Sequence, residues 1–318
     1  MGAILVTGGA GFIGSHLCDR LVHDGREVVC LDVFDNFYPK DQKLRNIEAM
    51  KEAERYHLYE GDIREPGVLE ELFGHHQLDA VVHLAARAGV RPSLEMPRLY
   101  TDVNVTGTAT LLEHCRLYRV PRFIFGSSSS VYGNSDAVPF SESAPAADPV
   151  SPYAATKRAG ELLCYTYHHL YGIDVACLRL FTVYGPRQRP EMAIHKFARL
   201  IDQGEGVPLF GDGTSSRDYT YVDDIVEGIL ASLEKVKGYQ VLNLGRSEVV
   251  TLRELVEHLE RKLGKKAKIV QQPEQPGDVR TTCADLSRAR RVLDYEPRVG
   301  ISEGLGRFVD WYREQSRS

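Results

Sequence analysis

The run Val6-Thr7-Gly8-Gly9-Ala10-Gly11-Phe12-Ile13-Gly14 constrains this chain more than any other stretch. It follows the short apolar run Ala3–Thr7 and opens Phe12–His23, whose apolar residues recur at helical spacing. Gly9, Gly11 and Gly14 fit G-x-G-x-x-G, and Gly8 adds a further glycine. Between a strand and a helix this pattern has a physical reading. The turn must be tight, the backbone must approach a pyrophosphate, and the helix must pack hard on the strand. The helix N-terminus then offers N–H groups and the positive end of its dipole to phosphate. Asp32 closes the next apolar run, residues 27–32, at the distance expected of an acid that accepts ribose hydroxyls. Its charge disfavours a 2′-phosphate, and no Lys or Arg follows before Lys40. The expected cofactor is NAD, with Gly8, Gly11, Phe12, Ile13 and Asp32 as its contacts.

The rest of the chain extends this unit. Apolar runs at 56–59, 78–84, 122–125 and 175–181 alternate with helical patterns, including 106–118 and 153–171. That alternation predicts an α/β fold with a doubly wound parallel (Rossmann) sheet. After residue 184 the texture changes, with Pro186, Pro190, Pro208, Gly204, Gly206, Gly211 and Gly213 breaking the pattern. A length of 318 residues accommodates about two domains. Residues 1–184 are expected to form the dinucleotide domain, with 236–262 returning to it. Residues 185–235 and 263–318 are expected to form a smaller mixed lobe.

Charge and cysteine content narrow the function. With 39 basic and 44 acidic residues the net charge is −5, which argues against nucleic acid as a partner. No apolar run approaches the roughly 20 residues that span a bilayer. The start of the chain lacks the pattern of a signal peptide, so a membrane location is not expected. The six cysteines form no C-x-x-C pair and mostly sit in apolar runs. Reduced, buried thiols, a cytoplasmic location and no bound metal are expected.

Further candidates fall at the ends of the apolar runs. Asp62 and Ile63 follow the third and suit an adenine. Leu84, Ala85 and Ala86 close the fourth with small residues that would let backbone lie against a diphosphate. Ser127-Ser128-Ser129-Ser130 end the fifth, at the carboxyl edge where such sheets bind ligands. Tyr153 and Lys157 lie four residues apart, on one face of a helix. Of 16 tyrosines only Tyr153 has Lys at that spacing. An ammonium beside a phenol, with NAD⁺, favours tyrosinate as a base.

Together, Thr7–Gly14, the serines before Val131-Tyr132-Gly133, the Tyr153/Lys157 pair and Arg217-Asp218-Tyr219 resemble the extended short-chain dehydrogenase/reductase family. More narrowly, they resemble its nucleotide-sugar epimerases and dehydratases, and the resemblance covers essentially the whole chain. It implies that Ser128, Tyr153 and Lys157 are catalytic, the Lys also binding the nicotinamide ribose. Where related 4,6-dehydratases carry an Asp-Glu pair, this chain has Ser129 and Ser130. Where UDP-glucuronate decarboxylases carry Glu, it has Ser130. Thr182 stands where UDP-glucose 4-epimerases have Asn. The runs 181–187, 189–194, 88–91 and 35–38 resemble the uronate branch of the 4-epimerases. The implied reaction is C4 epimerisation of a UDP-hexuronate, UDP-glucuronate to UDP-galacturonate, by transient oxidation with bound NAD. Ser129, Ser130 and Thr182 would receive the carboxylate. A UDP-glucose or UDP-N-acetylhexosamine 4-epimerase, or a UDP-glucuronate decarboxylase, stays open as an alternative. The resemblance also implies a C-terminal lobe that holds UDP, with Arg189, Arg217, Asp278 and Arg280 as candidates. His195 is expected to be a packed helix residue. A symmetric homodimer through helices 106–118 and 153–171 is expected, with Leu111, Leu112, Leu162 and Leu163 either contacting the second copy or facing the sheet.

Overall fold

The computed structural model describes residues 2–135, 137–273 and 279–315. Its main sheet holds β1 (Ala3–Thr7), β2 (Val28–Asp32), β3 (Tyr56–Glu60), β4 (Leu78–His83), β5 (Arg122–Ser128) and β6 (Asp174–Leu180). Three strands, β7 (Thr182–Tyr184), β8 (Gly206–Phe210) and β9 (Ser216–Tyr221), lie outside it before β10 (Tyr239–Leu244) returns. The last two strands are β11 (Val249–Thr251) and β12 (Lys268–Gln272). The seven-stranded sheet runs in the order β10-β6-β5-β4-β1-β2-β3, parallel throughout. Every residue of β1 and β2 is buried, which is why these strands read as continuous apolar runs.

The order reverses at β1. Thr7 pairs with Leu31 of β2 on one side and with His83 of β4 on the other. The connections leave these carboxyl ends toward opposite faces, so a crevice opens there.

Among the described residues twelve α-helices accompany the strands. They begin with α1 (Phe12–His23), α2 (Lys40–Asn46), α3 (Pro66–His75), α4 (Val90–Glu95), α5 (Pro97–Thr101) and α6 (Gly107–Leu117). They continue with α7 (Pro152–Tyr171), α8 (Ala193–Gln203), α9 (Val222–Lys235), α10 (Leu252–Leu263), α11 (Ser287–Leu293) and α12 (Ile301–Gln315). Leu17 and Leu21 of α1 and Ile225 and Ile229 of α9 bury against one face of the sheet. Leu69 and Leu72 of α3, Leu111 and Leu112 of α6 and Cys164 of α7 bury against the other. Beyond it, β7 pairs parallel with β9, β9 antiparallel with β11, and β8 parallel with β12.

Two segments lie elsewhere than their sequence texture suggests. The helix α9, expected in the lobe, packs on α1 and the sheet. Conversely, α10, expected beside the sheet, packs on α8 and α12. Proline and glycine density marks where regular structure breaks, but the partner of a helix is set by its apolar stripe. Of the two readings of Leu111 and Leu112, the structure supports the sheet-facing one. Both are fully buried against the sheet, and Leu163 packs against the same core. The outward apolar residues of this face are Leu117, Tyr118, Leu162, Tyr165, Leu170 and Tyr171. The six thiols are free, five of them buried and Cys283 partly so. Among the described residues no helix is long and apolar enough to cross a membrane.

Candidate active site

A cavity of about 450 Å³ occupies the crevice at the carboxyl ends of the strands. Its floor is the glycine turn. Gly8 sits at φ +70, and its N–H donates to the Leu31 carbonyl at 2.7 Å. A Cβ on Gly8 would stand 2.8 Å from Ala85 N, and one on Gly14 only 2.2 Å from the Gly8 carbonyl oxygen. Only glycine lets β1, α1 and the end of β4 close to this distance. Gly11 caps α1 with no side chain, so the first N–H groups of the helix are not satisfied by a cap. Such a cradle fits a diphosphate.

Asp32 is buried at one end of the cavity and accepts N–H bonds from Ala10 (3.2 Å) and Phe34 (2.9 Å). A group that the sequence reading missed stands beside it. Lys43 of α2 is 6% exposed, and its Nζ lies 3.3 Å from Asp32 Oδ1 and 3.1 Å from Asp35 Oδ1. The cation nearest the expected ribose site is therefore Lys43, while Lys40 pairs instead with Glu60. Lys43 sits three residues before α2 ends, which gave no spacing signal; the helix folds it back onto the acid.

Asp62 and Ile63 line the wall, and Arg64 clamps Asp62 with bonds of 2.9 and 2.6 Å. Burial pushes the Asp62 carboxyl up, but the Arg64 hydrogen bonds outweigh it and hold it below its ordinary range. Leu84, Ala85 and Ala86 form the facing wall, and Ala85 N–H donates to Thr7 Oγ1 at 3.3 Å.

The catalytic candidates meet at the other end of the cavity. Ser151 caps α7 through Ala154 N–H (3.1 Å) with Pro152 in the first turn, which sets Tyr153 on the cavity wall and Lys157 one turn deeper. Ser128 ends β5 opposite them. Burial raises the Tyr153 phenol, while a hydrogen bond with Ser128 and the charge of Arg189 pull it back. Lys157 is buried over the Phe125 ring, and its Nζ donates to the Gly126 carbonyl at 2.6 Å. Burial brings its pKa from 10.5 to about 8.

Beneath the serines lies a second group without an advance signal. Glu161, fully buried, accepts from Ser127 Oγ (2.6 Å), from Arg179 through two bonds of 2.9 Å, and from Arg158 (2.8 Å). It ties the end of β5 to α7 and so fixes Ser128 relative to Tyr153.

The substrate candidates separate. Ser129, Thr182 and Arg189 line the cavity. Ser130 does not; its hydroxyl and its N–H both donate to Ser128 Oγ, at 2.9 and 3.2 Å. The short helical turn Ser129–Tyr132 rotates it away. Arg189 faces the Phe37 ring at 5.3 Å, with Arg87 at 5.6 Å from the same ring. Arg87 also pairs with Asp35 at 2.8 Å. Arg217 and Arg280 stand outside the cavity wall, Arg217 donating to the Ser216 (2.9 Å) and Arg280 (3.4 Å) carbonyls. Asp278 lies outside the described residues. His195 is packed among Phe308, Trp311 and Tyr312, away from the cavity.

A doubly wound parallel sheet with a glycine cradle, an acid at the end of β2 and a Tyr–Lys pair facing Ser128 defines an extended short-chain dehydrogenase/reductase. Within that class, the chain belongs to the GDP-mannose 4,6 dehydratase family, whose model matches residues 5–308. It is 44% identical over 315 residues to the UDP-glucuronate 4-epimerase of Thermodesulfobacterium geofontis, covering 99% of this chain and 97% of that one. Among solved structures it is similar to the UDP-glucuronic acid 4-epimerase of Bacillus cereus bound to UDP-glucuronic acid and NAD. The TM-score is 0.93 at 39% identity, over 98% of this chain and 99% of that one. The UDP-glucose 4-epimerase of Thermotoga maritima, solved with UDP-glucose, gives 0.92 at 35% identity, over 99% of each chain.

Proposed function

We propose that this chain interconverts UDP-glucuronate and UDP-galacturonate by transient oxidation at C4. The observation that carries the reading is the shared wall of one cavity, on which Ser128, Ser129, Tyr153, Lys157 and Thr182 face the glycine cradle. The family and its uronate-acting relatives support the same reading.

The cradle fits NAD. Gly8, Gly11, Phe12 and Ile13 would hold the diphosphate with Ala85 and Ala86 opposite, and Asp32 with Lys43 the adenosine ribose. Asp62 and Ile63 would flank the adenine, and Lys157 the nicotinamide ribose. When bound, NAD accepts the C4 hydride and returns it.

The chain's own residues handle the proton. Tyr153 takes it from the C4 hydroxyl as the bond to hydrogen weakens, and returns it when the alcohol re-forms on the other face. Ser128 holds the same oxygen. Lys157 keeps positive charge behind the phenol, so that tyrosinate is reached near neutral pH. Ser129 and Thr182 donate to the sugar carboxylate, each bond to a charged acceptor contributing about 1.5–3 kcal/mol. Arg189 adds charge on the same side. With serines at 129 and 130, no carboxylate stands where elimination of water would need an acid and base.

The lobe beyond β7 takes the uridine end, with Arg217, Arg280 and Asp278 as the candidate clamp. Leu117, Tyr118, Leu162, Tyr165, Leu170 and Tyr171 form the face that a second copy would cover, and light scattering at micromolar concentration tests the dimer. Its free thiols suit a cytoplasmic enzyme.

Incubation with UDP-glucuronate followed by proton NMR tests the reaction. UDP-galacturonate is the expected product. UDP-xylose would make the protein a decarboxylase, and faster conversion of UDP-glucose than of the uronate would make it a hexose epimerase.

A further inference from the structure

At the amino ends of β2 and β3, on the edge of the sheet opposite the crevice, three side chains converge from separate elements. Glu27 immediately precedes β2, His57 is the second residue of the edge strand β3, and His76 follows the last residue of α3. One carboxylate oxygen, Glu27 Oε1, lies 3.3 Å from His57 Nε2 and 3.6 Å from His76 Nδ1. The three donor atoms all lie within 4.8 Å of one another, and each side chain is partly exposed. We propose that Glu27, His57 and His76 bind one divalent transition-metal ion of the zinc class.

The distances carry the inference. Zinc–nitrogen and zinc–oxygen bonds of about 2.0–2.2 Å at tetrahedral angles put neighbouring donors about 3.4 Å apart. Both measured edges to Glu27 sit close to that value. A simple ion pair needs one imidazole per carboxylate; here two imidazoles aim ring nitrogens at the same oxygen. Their ring centroids are 4.9 Å apart, close enough for like charges to repel if both were protonated, whereas a cation between neutral rings holds all three groups. Two imidazoles and a carboxylate form a donor set that suits zinc and leaves its fourth position to water.

The ring of His76 is also held in place. Its other nitrogen, Nε2, shares a hydrogen bond of 2.9 Å with the Tyr59 hydroxyl. Tyr59 lies two residues after His57, on the same face of β3. Such an outer contact fixes which nitrogen faces the metal. No short spacing motif joins the three ligands, so the sequence expectation of no metal had nothing local to set against it. The ion would pin the edge strand to β2 and to the returning end of α3. The full length of β2 separates it from Asp32 and the crevice, so its role is structural.

The test uses the full-length protein, stripped with EDTA and titrated with Zn²⁺ by calorimetry and with Co²⁺ by visible absorption. One Zn²⁺ per chain and the intense visible bands of tetrahedral Co²⁺ are expected. His57→Ala and His76→Ala should each weaken binding by more than about 100-fold, and Tyr59→Phe by about 10-fold or more, with unchanged far-ultraviolet circular dichroism. His75→Ala, which alters the adjacent exposed histidine, should leave affinity as it is. UDP-glucuronate turnover should be equal in stripped and Zn²⁺-loaded protein. Absence of stoichiometric binding, octahedral Co²⁺ spectra, or binding that survives both His57→Ala and His76→Ala would overturn the proposal.

Discussion

Lys157→Met separates what the buried ammonium costs the fold from what it gives the reaction. The Lys157 side chain is buried, and its pKa falls from 10.5 to about 8 in the cofactor-free chain through desolvation, with Cys164 and Glu161 pulling the other way. At about 1.4 kcal/mol per pKa unit, keeping that proton in the fold at pH 7 costs about 3 kcal/mol. The bond to the Gly126 carbonyl offsets part of it, a hydrogen bond to a charged group being worth about 1.5–3 kcal/mol. Methionine keeps the length of the side chain and removes both terms. The cofactor-stripped variant should therefore be more stable than wild type by about 0–2 kcal/mol at pH 7, while epimerisation falls at least about 10²-fold. The pH dependence fixes the sign. Between pH 8 and 10.5 the unfolded chain holds the Lys157 proton and the folded chain releases it. Wild type therefore gains stability over the variant as pH rises through that window, by about 2 kcal/mol between pH 8 and 9.5. Tyrosine and cysteine titrations are common to both proteins and cancel in the difference. Urea unfolding at pH 7 and 9.5, beside NMR turnover, measures all three quantities. A variant more than 1 kcal/mol less stable at pH 7, or a difference that does not move with pH, would refute the reasoning.

Tyr153→Phe removes the proposed proton acceptor and keeps the ring; NMR turnover should fall by about 10²–10⁴-fold while NAD extracted from the purified protein is unchanged. A near-normal rate would move the base elsewhere. Gly14→Ala sets a methyl 2.2 Å from the Gly8 carbonyl oxygen and 2.8 Å from Gly9 Cα, neither of which is free to swing away. It should destabilise by about 1–3 kcal/mol and strip NAD, by thermal denaturation and nucleotide extraction. Gly67→Ala, whose added Cβ meets nothing within 4 Å, should do neither. Thr182→Ala should lower the preference for UDP-glucuronate over UDP-glucose in kcat/KM by about 10-fold or more, the equivalent of one charged hydrogen bond, without abolishing turnover of either.

What could be read in advance was local. The β1–glycine–α1 unit with Asp32, and the Tyr153/Lys157 pair, are fixed by spacings of a few residues or by one strand–helix–strand step. The chain's alternation of apolar runs likewise foretold the parallel sheet, because strands buried on both faces leave no polar positions to confuse the pattern. The unread parts are tertiary. Lys43 reaches Asp32 only because α2 folds over the end of β2. Ser130 leaves the wall because a single turn after β5 points it back at Ser128. Phe37 meets Arg87 and Arg189 from three distant segments. Glu161 looks like one more helix acid until Arg179, from β6, is seen against it. Tyrosine spacing singles out a candidate base, but no spacing finds the residues that hold it still.

Fold likeness alone does not choose the sugar, since TM-scores of 0.93 and 0.92 connect this chain equally to a uronate and a hexose epimerase. Charge in the cavity wall supports the proposed choice. Asp32 and Asp35 share Lys43, and Asp35 also takes Arg87. Asp62 is held by Arg64. Each of these acids thus meets a cation at its own end of the cavity. Lys157 and Arg189 line the same wall as neutral Ser128, Ser129 and Thr182, with Arg189 sharing the Phe37 ring with Arg87. Arg189 does contact Glu191 at 3.2 Å, but that carboxylate is 44% exposed and screened by water, whereas the arginine is 19% exposed. On the proposed reading these two cations face the sugar. A C6 carboxylate would pair with them; a C6 hydroxyl would not. The proposed preference for the uronate therefore draws on charges from several elements, and removing Arg189 should weaken uronate binding more than hexose binding, with a larger gap at low than at high ionic strength.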